Sequence, residues 1–209
     1  MLKIWGRANS VNVQKVLWAC EELGLAYERV DAGMRFGVVD TPGYRKLNPN
    51  ALVPTIDDDG FVLWESNAIV RYLAQKYGAG RNSLWPEDIR VRASADRWMD
   101  WQQTTLWTQG LRDLFWSLVR TPPEQRDAAA NEAARIRIAA HLKVAEDALA
   151  TRAYLCGDAL TMADIPFGCS IHRWFGIEIE RPASPMLEAY YRRLAGRPGY
   201  RRIVLQPLS

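Results

Sequence analysis

Pro54-Thr55-Ile56-Asp57-Asp58-Asp59-Gly60-Phe61-Val62-Leu63-Trp64-Glu65-Ser66-Asn67-Ala68-Ile69 is the stretch whose reading decides the fold. Pro54–Asp57 and Phe61–Trp64 flank Asp58-Asp59-Gly60, whose residue types close a β-hairpin. Ser66 then opens a helix that carries Ile69, Tyr72 and Leu73 on one face. Working upstream, Tyr27–Val30 reads as a strand, and Leu2–Trp5 as a short buried strand closed by Gly6. Between them Val13, Val16, Leu17 and Cys20 recur at helical spacing, with Gly24 where a helix C-terminus favours glycine. Asp31 to Asn50, with glycines at 33, 37 and 43, is loop-like with one helical turn.

The order up to Tyr77 is βαβ, loop, ββα, the thioredoxin-like arrangement. Gly78–Pro86 reads as a linker, and every convincing pattern beyond it is helical. Ile89 to about Val119 is one long candidate helix, with Pro122-Pro123 marking its stop and the next start. Ile138, Leu142, Ala145 and Leu149 stripe the second; Thr161-Met162-Ala163-Asp164 has the form of an N-cap with an acid three residues on. Two short helices, around Met186–Leu194 and Tyr200–Leu205, finish the chain. The expected organisation is α/β plus all-α: a thioredoxin-like domain over 1–78, a linker over 79–87 and an all-helical domain over 88–209.

Composition narrows the function. With 209 residues, 48% apolar and 24% charged, the chain is globular rather than fibrous or disordered. A formal charge of +3, spread along the chain without a groove-reading module, argues against a nucleic-acid partner. Cys20, Cys156 and Cys169 form no CxxC, and the two histidines are far apart, so zinc-ribbon, haem-attachment and dithiol readings fall away and no metal is expected. No apolar run approaches transmembrane length and the N-terminus starts like a strand, so the expectation is a soluble, cytoplasmic protein without a membrane partner. Neither a phosphate loop nor a catalytic triad can be assembled. Chemistry here must lean on a molecule the chain does not itself supply.

Three further segments carry a resemblance. They are Asn48-Pro49-Asn50-Ala51-Leu52-Val53-Pro54, then Trp64-Glu65-Ser66-Asn67-Ala68-Ile69, then Leu155-Cys156-Gly157-Asp158 with Thr161-Met162-Ala163-Asp164. In this order and spacing, over essentially the whole chain, they resemble the cytosolic glutathione S-transferases, bacterial and serine-type or Nu-like. The resemblance implies glutathione as co-substrate, a homodimer, a detoxifying role and a small electrophilic or disulfide second substrate.

It also implies a cis-proline at Pro54, with the Val53 N–H and C=O pairing with the cysteinyl backbone of glutathione as an added strand would. Asn50 lies in the same binding loop. Ser66 begins a helix, where unpaired N–H groups and the dipole suit a carboxylate, so it would take the γ-glutamyl carboxylate and Glu65 its ammonium. The plainer alternative is an N-cap serine preceded by a first-turn acid. Leu52 departs from the family pattern, which has Lys or another polar residue there; Arg35, Asn48 and Asn50 are then candidates for the glycyl carboxylate.

A free thiol has a pKa near ~8.5, so only a few per cent is thiolate at neutral pH, and lowering it by about one to two units takes roughly 1.4–2.8 kcal/mol. One charge-assisted hydrogen bond with a helix N-terminus supplies that much. Ser10-x-Asn12-x-x-Lys15 follows the first strand in the right place, which makes Ser10 the expected thiol donor and Asn12 the second donor or replacement. One of the two is also expected to cap the helix. With no cysteine near position 10, glutaredoxin-like chemistry is disfavoured; Cys20 reads as core, Cys156 and Cys169 as structural. Trp107, Leu111 and Phe115, at helical spacing, either line the second-substrate pocket or pack the interior. Thr161 and Asp164 read as structural. Glutathione-dependent disulfide or peroxide reduction, and a non-catalytic scaffold, remain the alternatives to conjugation.

Overall fold

The computed structural model describes residues 1–81 and 84–209. Asn82 and Ser83, which belong to the segment read as a linker, lie outside the described residues. The chain divides into two compact units, Met1–Trp85 and Pro86–Ser209.

In the first unit, β1 (Leu2–Trp5), α1 (Val11–Leu23) and β2 (Tyr27–Val30) are followed by a 3₁₀ turn at Met34–Phe36 and by α2 (Pro42–Leu47). Then come β3 (Thr55–Asp58), β4 (Phe61–Trp64) and α3 (Ser66–Leu73), which runs on through a wider turn at Ala74–Gly78. The sheet order is β2-β1-β3-β4. β1 and β2 are parallel and the other two pairs antiparallel, the thioredoxin-like topology. Alternation puts Ile4 and Ile56 opposite one another on the buried face. α1 packs along α3 and α3 against β4. Helix α1 ends because Gly24 takes the left-handed conformation (φ 65°), which lets the N–H groups of Gly24 and Leu25 turn back to Glu21 and Cys20.

The hairpin turn is one residue shorter than its sequence suggests. Asp58 belongs to β3 and pairs with Phe61, leaving Asp59 (φ 53°) and Gly60 (φ 94°) as the two-residue loop. The Asp58 side chain, only 1% exposed, accepts from Lys76 Nζ at 2.7 Å and from the hydroxyls of Tyr72 (2.7 Å) and Tyr77 (2.8 Å). Burial pushes this carboxyl up, but the bonds from Lys76, Tyr72 and Tyr77 outweigh it and leave it below the usual carboxylate range. The unfolded chain therefore binds the proton more readily. The stabilisation is present above the unfolded value near ~4 and is lost as pH falls through the lowered folded value. Asp58→Asn is expected to cost about 1–3 kcal/mol at neutral pH. The gap in melting temperature from wild type should close as the pH drops below about 4; a gap independent of pH would contradict the assignment.

The second unit is helical: α4 (Ile89–Trp101), α5 (Arg112–Phe115), α6 (Ala128–Leu149), α7 (Asp164–Gly176), α8 (Pro185–Ala195) and α9 (Pro198–Ile203). The single long helix expected from Ile89 to Val119 is broken. Wider turns occupy Gln102–Leu111 and Trp116–Arg120, and the backbone leaves helical geometry at Gln109 and Gly110. A Cβ on Gly110 would come within 3.0 Å of Ile138 on α6, so the glycine lets the buried face of α6 approach the kink. Helix α6 starts later than the prolines suggest: Pro123 opens only a 3₁₀ turn, and Asp127 caps the helix by accepting from Ala130 N at 2.9 Å.

Asp164, fully buried at the start of α7, accepts from Leu155 N (3.0 Å), Thr161 N (2.8 Å), Thr161 Oγ1 (3.2 Å) and the Tyr190 hydroxyl (3.0 Å). The acid arm of the expected capping motif is thus made, while α7 itself begins at Asp164, after Ala163. Burial pushes the Asp164 carboxyl up to about 6 against the pull of these donors. Among the described residues no helix is long and apolar enough to cross a membrane.

Candidate functional site

Ser10 holds the N-cap position of α1. Its φ of −79° and ψ of 126° are extended, and its carbonyl accepts the first helical bond from Gln14 N at 2.8 Å. An N-cap serine ordinarily gives its hydroxyl oxygen to an N–H of the first turn. Here the side chain makes no cap bond, although the residue is only 6% exposed. Asn12 does not cap either: its Oδ1 accepts from the Ser66 hydroxyl at 3.3 Å. The expectation that one of the pair would cap α1 is therefore corrected. Asn12 is turned across to α3, and the Ser10 hydroxyl keeps its hydrogen-bonding capacity.

Ser66 is the first residue of α3, buried, with its backbone N–H at the open end of the helix. Glu65 before it is exposed and has a positive φ (72°), an uncommon conformation for a residue with a side chain. Such local strain tends to persist where it sets the geometry of a site. Lys15, placed by its spacing on α1, is buried with no exposed surface. Its Nζ donates to Asn67 Oδ1 at 3.2 Å and lies 3.5 Å from Ser66 Oγ. A buried cation beside Ser66 was not evident in the sequence, where Lys15 enters only as the end of the Ser10-x-Asn12-x-x-Lys15 spacing.

The Asn48–Pro54 loop is built from within. Asn48 is buried and its amide is fully used: Nδ2 donates to Leu52 O (2.9 Å) and Thr55 Oγ1 (3.1 Å), and Oδ1 accepts from Asn50 N (3.0 Å) and Asn50 Nδ2 (3.2 Å). Tyr44 completes the frame, its hydroxyl lying 2.7 Å from Leu52 O and 2.8 Å from Thr55 Oγ1. These bonds remove Asn48 as a ligand for a carboxylate and make it a strut. The exposed Arg35 and Asn50 keep that possibility, and Leu52 extends into solvent at 65% exposure. With the Leu52 carbonyl anchored, Val53 follows just ahead of β3, and the Val53–Pro54 peptide is cis. Neither the N–H nor the C=O of Val53 is used by another described residue. Tyr44 and Thr55 are supporting residues that the sequence reading missed; a tyrosine and a threonine eleven positions apart carry no signal until the loop brings them together.

The three cysteines are free thiols, Cys20 and Cys169 buried. Burial pushes the Cys20 thiol up to about 12 and raises that of Cys156 as well, so neither is a ready nucleophile. Trp107, Leu111 and Phe115 are all buried, with Trp107 keeping the most exposure of the three. Asp164 and Thr161 are spent on each other and on neighbouring backbone.

A thioredoxin-like unit with an unpaired strand-like backbone at Val53, an anion-ready helix end at Ser66 and an idle hydroxyl at Ser10 can accept a short acidic peptide and polarise a group on it. Comparison with known proteins gives this arrangement its family. Residues 9–76 match the model of the glutathione S-transferase N-terminal domain, and residues 128–193 that of its C-terminal domain. Glutathione S-transferase GstB of Escherichia coli strain K12 is 41% identical over 211 residues, covering 100% of both chains. Glutathione S-transferase 3 of Zea mays is 31% identical, over 97% of this chain and 93% of its own. The glutathione-bound crystal structure of the theta class glutathione S-transferase from Xanthomonas axonopodis pv. citri superposes with a TM-score of 0.94 at 50% identity, covering 100% and 99% of the two chains. The chain belongs to the glutathione S-transferase family.

Proposed function

We propose that this protein is a cytoplasmic, homodimeric glutathione transferase that binds glutathione in its N-terminal unit and directs the activated thiol at a small electrophile. The observation that carries this reading is the N-cap serine that does not cap: Ser10 keeps a hydroxyl at the positive end of α1, where a thiolate is best stabilised. Val53 offers its free N–H and C=O to the cysteinyl backbone, Ser66 its hydroxyl and N–H to the γ-glutamyl carboxylate, and Glu65 a charge for the ammonium. Asn12 sits behind Ser66 and acts on the carboxylate subsite more directly than on the thiol. Supporting the reading, the relatives are named glutathione S-transferases and one structural neighbour is titled as holding glutathione. Cys20, on α1, is buried, and burial pushes its thiol up to about 12, which argues against its forming a mixed disulfide.

The direct test is calorimetric titration with reduced glutathione. Ser66→Ala is expected to weaken binding about tenfold or more in a protein that still folds, because a charged hydrogen bond contributes about 1.5–3 kcal/mol. Unchanged affinity would remove Ser66 from the carboxylate subsite.

A further inference from the structure

Lys15, in the Ser66 cluster, has no part in the reading above. We infer that it is a positioning residue for the carboxylate end of the bound peptide, an inference that rests on the proposed glutathione subsite. Its side chain runs buried from α1 to the first turn of α3, with Nζ 3.2 Å from Asn67 Oδ1 and 3.5 Å from Ser66 Oγ.

An ammonium only donates hydrogen bonds, so it engages a lone pair of the Ser66 oxygen. That orientation leaves the Ser66 O–H as a donor aimed away from Lys15, and in the free protein it meets Asn12 Oδ1 at 3.3 Å. A carboxylate arriving at the α3 N-terminus takes that proton in place of the Asn12 amide oxygen. It also feels the lysine charge added to the positive end of the helix dipole, in an interior where charges are weakly screened. A neutral side chain at position 15 would remove both the orientation and the charge. Lys15 therefore acts through Ser66, without needing to touch the ligand.

The experiment compares reduced glutathione with 4-aminobutyryl-cysteinyl-glycine, the same tripeptide lacking only the α-carboxylate of the γ-glutamyl residue. Binding of both is measured calorimetrically to wild type, Lys15→Met and Lys15→Arg, alongside thermal melts. Wild type is expected to prefer glutathione by about tenfold or more. Lys15→Met should lose most of that preference, weakening glutathione about tenfold and the analogue by less than about twofold, and Lys15→Arg should restore it. Equal weakening of both ligands, or an intact preference in Lys15→Met, overturns the inference and leaves Lys15 a mere tether between α1 and α3. Lys15→Gln repeats the comparison with a polar end, should a buried methionine prevent folding. A wild type that fails to distinguish the two ligands overturns the carboxylate subsite itself, and this inference with it; a discriminating wild type with discriminating variants removes Lys15 alone.

Discussion

Ser10→Ala is expected to lower turnover with glutathione at neutral pH by roughly eightfold to twenty-fivefold, without a matching loss of stability. A thiol near its ordinary pKa is only a few per cent ionised at neutral pH, so a donor worth about 1.4–2.8 kcal/mol to the anion controls most of the reactive population. And because the Ser10 hydroxyl makes no cap bond, its removal does not cost the roughly 1 kcal/mol that an ordinary N-cap serine contributes to its helix. The measurement is the ultraviolet absorbance of the bound thiolate against pH, which should titrate at higher pH in Ser10→Ala. Asn12→Ala, by releasing Ser66, should instead show mainly in glutathione affinity. If Asn12→Ala moves the thiol titration and Ser10→Ala does not, the donor role passes to Asn12.

Asp164→Ala is expected to destabilise the protein by about 3–5 kcal/mol, a large share of the roughly 5–15 kcal/mol that holds a domain folded. The carboxylate joins the 155–161 loop, the first turn of α7 and Tyr190 of α8 through four hydrogen bonds. Alanine would strand two backbone N–H groups and a tyrosine hydroxyl in an interior that water does not reach, at about 1–3 kcal/mol for each group left unsatisfied. Relief from burying a charge offsets only part of this, since the existing donors already hold the carboxyl near 6 despite complete burial. Urea unfolding curves measure the loss directly. A change below about 1 kcal/mol would mean that the loop finds other acceptors and that Asp164 is not its anchor.

The helical unit was less legible than the sheet, and particular residues show why. The hairpin announces itself locally: Asp59-Gly60 can adopt the positive φ values that reverse the chain, and the apolar run Phe61–Trp64 that follows marks the returning strand. The break at Gln109–Gly110 has no such local sign. It exists because Ile138, separated by 28 positions, needs the space that a glycine leaves. The Pro122-Pro123 pair misled for a related reason: proline permits a helix start, whereas Asp127, with an oxygen to give Ala130 N, makes one.

The same division runs through the site. Order and spacing determined, from the sequence alone, a thioredoxin-like unit followed by helices, the family, and the segments around Ser10, Val53 and Ser66, because short-range rules of turn, cap and strand chemistry act within a few residues. Only the tertiary structure decided what the residues of those segments touch. It buried Lys15 beside Ser66, turned Asn12 across to α3, left the Ser10 hydroxyl uncommitted and spent Asn48 on the frame of its own loop. Hydrogen-bond partners lying 50 or more positions apart, such as Asn12 and Ser66, are chosen by packing, since a polar group shut away from water must take whichever partner the fold brings within reach.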